Sequence, residues 1–285
     1  MICYRTLESV DTKVLHRVFT LAFSDYSVQV DMPMDKFMSL LKRNGFAPAL
    51  SAAAFSGDIP AGFIINGFRI RDGKKTIYDS GTGVIPAYRH QGLTTGMFAF
   101  LSEHLKASGV QQYLLEVIQS NLPAYGLYSK LGFGVLRELS CYRAGKAGLV
   151  LPVKQDVEFT ADMRFLEDAK IPSFWDFRPS WQNSVDSAKS GAGDCIAAII
   201  RLSGEIAGYG IIDQTTGSFY QLAVEKQHRG KGIGAGLLNA LIQKSKSDKL
   251  SFLNVYSGCD SMCGFLEKHG FRLEVKQYEM IRKLD

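Results

Sequence analysis

Tyr88-Arg89-His90-Gln91-Gly92-Leu93-Thr94-Thr95-Gly96 and His228-Arg229-Gly230-Lys231-Gly232-Ile233-Gly234-Ala235-Gly236 are two versions of one passage, with their arginines 140 residues apart. Each follows an apolar, strand-like run and opens an apolar helical pattern, the setting in which backbone N–H groups surround an anion. Downstream the two keep step: Phe133 of Leu131-Gly132-Phe133 lies 44 residues after Arg89, and Phe271 of His269-Gly270-Phe271 lies 42 after Arg229. A duplicated domain accounts for such a repeat.

Working outward from the first copy, Ile2 to Arg5 reads as a strand, Asp11 caps a helix to about Phe23, and Met34 to Asn44 reads as a helix ended by Gly45. Three extended runs follow, Ala49 to Phe55, Ala61 to Arg71 and Lys75 to Val84, joined by the turn signals Ser56-Gly57-Asp58 and Asp72-Gly73. After the loop come a helix from Leu93, a strand Tyr113 to Val117, a short helix capped by Asn121, and a last strand from Phe133. The second half repeats the plan with strands Cys195 to Leu202, Glu205 to Asp213 and Ser218 to Val224, a helix Ile233 to Ser245, a strand Phe252 to Tyr256, a helix Ser261 to His269 and a strand from Phe271. Residues 154–194 carry no clear period. The expected fold is α/β (α+β), with two tandem domains at 1–145 and 153–285. Each is a mixed, mostly antiparallel central sheet flanked by helices, and the boundary falls at Ala144 to Val153, where Pro152 follows a Gly-rich run.

The 285 residues, 46% of them hydrophobic, suffice for two cores. Five scattered cysteines without a CxxC pair point to a reducing compartment, so the cytoplasm is expected, and no metal site is expected. Apolar runs are too short to span a bilayer, and the first residues lack the pattern of a signal peptide. The net charge of +5 lies mainly in residues 1–150, which carry 16 Lys+Arg against 11 Asp+Glu. No basic block interleaved with aromatics suggests nucleic acid, so neither a nucleic-acid nor a membrane partner is expected.

The loop pattern Arg/Gln-x-x-Gly-x-Gly/Ala before a helix resembles that of the GCN5-related N-acetyltransferase superfamily. Arg229-Gly230-Lys231-Gly232-Ile233-Gly234 matches it fully, whereas the first copy puts Thr94 where Gly or Ala is usual. The resemblance implies acetyl-CoA as co-substrate, its pyrophosphate held by Arg89, Gln91, Gly92, Leu93, Thr94 and Thr95 in one half, and by Arg229, Gly230, Lys231, Gly232, Ile233, Gly234 and Ala235 in the other. It also implies a bulged strand before each loop, with backbone groups near Val84 and Val224 on the pantetheine arm and one N–H polarising the thioester carbonyl.

Asn121-Leu122-Pro123-Ala124-Tyr125-Gly126-Leu127-Tyr128-Ser129-Lys130-Leu131-Gly132-Phe133 resembles the superfamily's Asn-x-x-Ala-x-x-x-Tyr-x-x-Leu-Gly-Phe at every named position. That similarity puts Asn121 at the cofactor and makes Tyr128 the acid that protonates the departing thiolate. A tyrosine on the stripe Ala124, Leu127, Tyr128, Leu131 could equally serve packing. The second half has Cys259 and Leu266 at those places. Glu116, on the strand after the first loop, is a candidate base or an exposed strand-end carboxylate, and Asn254 stands at its place in the second half. Phe174 to Trp181 holds both tryptophans and lies where a flap would cover the acceptor; packing and an aromatic acceptor pocket are both open to it.

The expected function is an acetyl-CoA-dependent N-acetyltransferase acting directly on an amine of a small molecule or peptide. The first half is favoured for chemistry; the second, with the fuller loop and no acid, is favoured for holding coenzyme A. A non-catalytic acyl-CoA-binding or sensing protein with degenerate domains is the alternative.

Overall fold

The computed structural model describes all residues except 26–31, 148, 150–155, 192 and 285. Pro152 and Val153, on which the expected boundary rests, lie outside the described residues. The chain forms two compact units: Met1–Val117, Asn121–Leu136 and Glu279–Asp285 make one, and Ile118–Ser120 and Arg137–Tyr278 the other.

In chain order the first repeat supplies β1 (Ile2–Thr6), α1 (Thr12–Ala22), α2 (Met34–Asn44), β2 (Ala52–Ser56), β3 (Ile59–Arg71), β4 (Lys74–Val84), α3 (Leu93–Ala107), β5 (Gln112–Ile118), α4 (Leu122–Lys130) and β6 (Gly134–Gly145). The second supplies β7 (Glu158–Thr160), α5 (Val185–Ser190), β8 (Cys195–Leu202), β9 (Glu205–Asp213), β10 (Ser218–Val224), α6 (Ile233–Lys244), β11 (Lys249–Tyr256), α7 (Asp260–Lys268) and β12 (Arg272–Lys283). The sheet of the first unit runs β1-β2-β3-β4-β5 and is completed by the C-terminal part of β12, where Leu284 N donates to Gln111 O at 3.0 Å. The sheet of the second runs from the N-terminal part of β12 through β6, β11, β10, β9 and β8 to β7. Thus β6 pairs antiparallel with β11, Tyr142 opposite Phe252, and the last strand of each repeat is shared: β6 lies in the second unit from Arg137 on, and β12 in the first from Glu279 on.

Local chemistry explains the elements. The Asp11 carboxylate accepts from Lys13 N at 2.7 Å and starts α1, and Gly45, at φ 71°, ends α2 in the left-handed conformation that Gly adopts without strain. The hairpin β3–β4 turns on Asp72 (φ 53°) and Gly73 (φ 72°), both left-handed as a tight two-residue turn requires. One face of the first sheet buries Phe19, Phe37 and Phe63 with α1 and α2. In the second unit α6 buries Leu237, Leu238 and Leu241 on one face, and Phe174, Tyr209 and Ile211 form a second core under the flap. Each such side chain contributes about 1.5–3 kcal/mol by leaving water. The segment without period, 154–194, becomes β7, three single 3-10 turns and the six-residue α5.

Candidate active site

In each unit two parallel strands begin as neighbours and then part. β4 pairs with β5 only from Thr76–Gln112 to Tyr78–Leu114, and β10 pairs with β11 only at Ser218–Ser251 and Phe219–Phe252. A register shift against β3 leaves Ser80 as an extra residue in β4, and one against β9 leaves Tyr220 extra in β10. Each bulge stands four residues before the valine of the strand end, Val84 or Val224, so the forks are built alike.

Beyond each fork the chain makes a 3-10 turn, Pro86–Tyr88 or Lys226–His228, and enters its helix through two left-handed residues. These are His90 (φ 62°) and Gly92 (φ 75°) in the first loop, Gly230 (φ 74°) and Gly232 (φ 82°) in the second. A Cβ at Gly92 or Gly230 would meet nothing within 4 Å, so glycine there serves the conformation and leaves the surface open to a ligand. Among the described residues, no protein acceptor takes the N–H groups of Gln91 to Thr95 or of Gly230 to Ala235. A string of unpartnered N–H groups at a helix N-terminus favours anionic oxygen.

The arginines face inward. Arg229 Nε donates to Val224 O at 3.0 Å, its Nη1 reaches both Asp176 carboxylate oxygens at 2.8 and 2.9 Å, and its Nη2 reaches Phe174 O at 2.8 Å. Arg89 does the same to Val84 O (3.1 Å), Asp25 (2.7 Å) and Ala22 O (2.9 Å). Each guanidinium therefore ties a strand end to the segment over the sheet, and the donors left for a phosphate are the loop's backbone N–H groups.

In the second unit the fork opens into a cavity of about 500 Å3, lined among others by Trp175, Val224, Gly232, Phe252, Asn254 and Phe265. Asn254 is buried with a left-handed backbone (φ 57°); its Oδ1 accepts from Gln277 Nε2 at 3.1 Å, and its Nδ2 has no protein partner among the described residues.

The forks differ at the apex. Immediately before its bulge the first unit has Asp79, which is 7% exposed and accepts from Gly81 N (2.9 Å) and Thr82 Oγ1 (2.6 Å). It is also hydrogen-bonded to Tyr128, and burial pushes its carboxyl up to about 6 against these stabilising bonds. Tyr128 stands edge-on to Phe98 (6.0 Å) and Phe133 (5.9 Å), so it both packs and presents a polar tip. Asn121 caps α4, its Oδ1 taking Ala124 N at 3.2 Å. Glu116 is half-buried on the strand face opposite Tyr113, and accepts from the Tyr78 hydroxyl.

A model of the acetyltransferase (GNAT) family matches residues 15–133 and again 160–271. The chain belongs to that family. Two solved structures share the fold over the full length. A GCN5-related N-acetyltransferase from Sphaerobacter thermophilus is 14% identical, with TM-score 0.72 over 99% of this chain and 96% of that one. A tandem GNAT protein from the clavulanic acid biosynthesis pathway, solved without AcCoA, is also 14% identical, with TM-score 0.72 over 100% and 99%. No curated protein sequence matches the chain.

In this GNAT chain the second apex is apolar. Phe219 takes the place before the bulge and stacks on Phe252 (4.3 Å, 7°), and Leu266 is fully buried. Leu266 is the structural counterpart of Tyr128, for Phe271 N donates to Leu266 O at 3.0 Å as Phe133 N donates to Tyr128 O at 3.0 Å. Cys259 starts α7 without a side-chain cap. The polar groups lie instead under the flap. Trp175 Nε1 donates to Tyr209 Oη (2.7 Å), Tyr209 Oη to Gln221 Oε1 (2.6 Å), and Gln221 Nε2 to Asn183 O (2.7 Å). Asn183 Nδ2 then donates to Leu253 O at 2.6 Å, so one residue bonds to both arms of the fork. Of the aromatic segment Phe174 to Trp181, Phe174 and Trp181 are buried, while Trp175 and Phe177 reach the cavity.

Sequence reasoning missed Asp79, Asn183, Gln221 and Asp176. For Asp79 a signal existed: aligning the halves on Val84 and Val224 sets Asp79 against Phe219, as aligning them on Phe133 and Phe271 sets Tyr128 against Leu266. Among the described residues no group of His, Cys, Asp and Glu is placed to hold a metal, and no helix is long and apolar enough to cross a membrane.

Proposed function

We propose that this GNAT protein is an acetyl-CoA-dependent N-acetyltransferase that transfers acetyl directly to an amine of a small molecule or peptide, with the chemistry in the first unit. The observation that carries the reading is the pair of twin loops, each ending a fork and each offering unpartnered N–H groups at a helix N-terminus. Those groups suit the pyrophosphate of coenzyme A, and the splayed backbone near Val84 and Val224 suits its pantetheine arm. In the first unit Tyr128 protonates the departing sulfur as the amine nitrogen bonds to the acetyl carbon and the C–S bond breaks. Glu116, on the opposite face of β5, takes the proton that the nitrogen loses. An alkyl amine near 10.4 needs such help, because presenting its neutral form at pH 7.4 costs about 4 kcal/mol.

The second unit holds the same ligand without passing on its acetyl group. Leu266 and Phe219 leave no acid at its apex, and Asn183 bonds to both arms on the flap side. In sequence terms the two GNAT domains are 1–145 and 153–285, and a reducing cytoplasm suits five cysteines that form no disulfide among the described residues.

Native mass spectrometry with acetyl-CoA tests the reading. Wild type should bind two molecules, and Gly92→Val and Gly232→Val one each, since a branched side chain is strained at φ 75° or 82° and stands where the ligand approaches. A wild-type chain that binds none sinks the proposal.

A further inference from the structure

Asp79 is a buried acid that the transfer scheme above does not use. It lies on β4 beside the bulge, on the face that carries Tyr113, under α3 and α4. The titratable and charged groups facing it are Tyr128 of α4 and Tyr113 of β5, with Arg282 of β12 beyond Tyr113. Tyr113 hydrogen-bonds to Asn66 Oδ1 at 2.7 Å and burial drives its phenol upward, so it stays neutral; Arg282 donates to Ser102 Oγ at 3.2 Å. Among the described residues no Lys, Arg or His pairs with Asp79.

We propose that Asp79 and Tyr128 form a proton relay, in which the departing sulfur takes the Tyr128 hydroxyl proton while the Asp79 carboxyl returns one to the Tyr128 oxygen. The inference rests on first-unit transfer. Acid strength is the reason for a second group. A phenol near 10 is roughly thirty times weaker as an acid than a thiol near 8.5, so Tyr128 alone gives up its proton to a thiolate uphill. A carboxyl at about 6 is stronger than the thiol by roughly a factor of 300, so a proton that ends on sulfur and leaves Asp79 runs downhill.

The hydrogen bonding fits. Gly81 N and Thr82 Oγ1 fix the carboxyl. The Tyr128 hydroxyl donates to Asp79 while it is ionised, the major form at pH 7.4; in the protonated form, about one molecule in 25 at that pH, Asp79 instead donates to the Tyr128 oxygen and frees the phenol proton to point outward. The balance closes: the C–S bonding pair goes to sulfur and takes the phenol proton, the O–H pair left on Tyr128 takes the carboxyl proton, and Asp79 ends as a carboxylate. The proton released by the amine restores it through solvent. The second unit supplies an internal comparison, for it lacks both members together: Phe219 stands for Asp79 and Leu266 for Tyr128.

The test compares wild type, Asp79→Asn, Tyr128→Phe and the double variant on one amine that wild type acetylates. The amide introduced by Asp79→Asn can still accept from Gly81 and Thr82 but cannot supply the proton. Expected is a fall in kcat of about 10- to 100-fold for Asp79→Asn with KM for acetyl-CoA within about twofold, and a double variant no slower than Tyr128→Phe, as for groups acting in series. In wild type labelled with 13C-tyrosine, the Tyr128 signal should titrate with a midpoint near 6 and be flat in Asp79→Asn. Unchanged kcat in Asp79→Asn, losses that add in the double variant, or a Tyr128 signal that ignores Asp79 each overturn the relay. A wild type without turnover on any amine overturns instead the transfer reading on which it rests.

Discussion

Where β4 leaves β5 the chain sets a buried carboxyl against a tyrosine, and where β10 leaves β11 it sets a phenylalanine against another and seals the place with Leu266. The backbones around these two points are alike, with the bulge four residues before the valine and two left-handed residues in the loop beyond. The proposed transfer therefore rests on two side chains, on a scaffold that holds either pair. The polar pair supplies the proposed acids at a cost in stability; the apolar pair gives a stacked, buried apex and no acid.

The largest expected effect separates the two at once. Tyr128→Phe should lower turnover about 10³-fold, within the range for loss of a positioned acid, while Leu266→Met leaves it unchanged; steady-state kinetics on an amine panel decides. Equal losses in both variants would break the asymmetry. Next in size is the stability effect of Asp79. Its carboxyl stands at about 6 in the folded chain against 3.8 unfolded, so the folded state is favoured below pH 3.8 and loses that advantage as pH rises to 6. Asp79→Asn should therefore stabilise the first unit by up to about 3 kcal/mol at pH 8 and by much less at pH 4. Hydrogen exchange, which reads the units separately, is the measurement.

On the other side of the comparison, Asn183→Ala should cost the second unit about 1–3 kcal/mol, because the Leu253 carbonyl loses its donor at 2.6 Å. A first unit that loosened equally would contradict the assignment of that bond to one unit. Smallest is the loop. His90 holds φ 62° where the second copy has Gly230, so His90→Gly should stabilise by less than about 1 kcal/mol, visible as a small rise in melting temperature.

How much of this was legible depended on how local each signal is. Helix Met34–Asn44 and strands Cys195–Leu202, Glu205–Asp213 and Ser218–Val224 have the bounds their patterns give, because caps, turns and periodicity act within a few residues. Family membership was legible from the repeated loop and the Asn121-to-Phe133 motif. The flap of the second unit was not, since isolated 3-10 turns have no period to detect. Direction was also hidden: Arg89 and Arg229 read as donors to a phosphate, and their guanidinium groups face Asp25 and Asp176. Asp79 escaped notice because a single acid in a strand looks like an exposed residue until the fold buries it.

The exchange of last strands has a consequence for how the protein is made. As synthesis passes residue 145, β5 of the first unit still has an open edge, and the strand that covers it, β12, is encoded at residues 272–283. Some 140 residues of chain must emerge before that edge is covered, so the N-terminal unit cannot finish folding while the ribosome is still reading the second repeat. Over that interval β5 is a site where a chaperone, or a neighbouring nascent chain, can pair first.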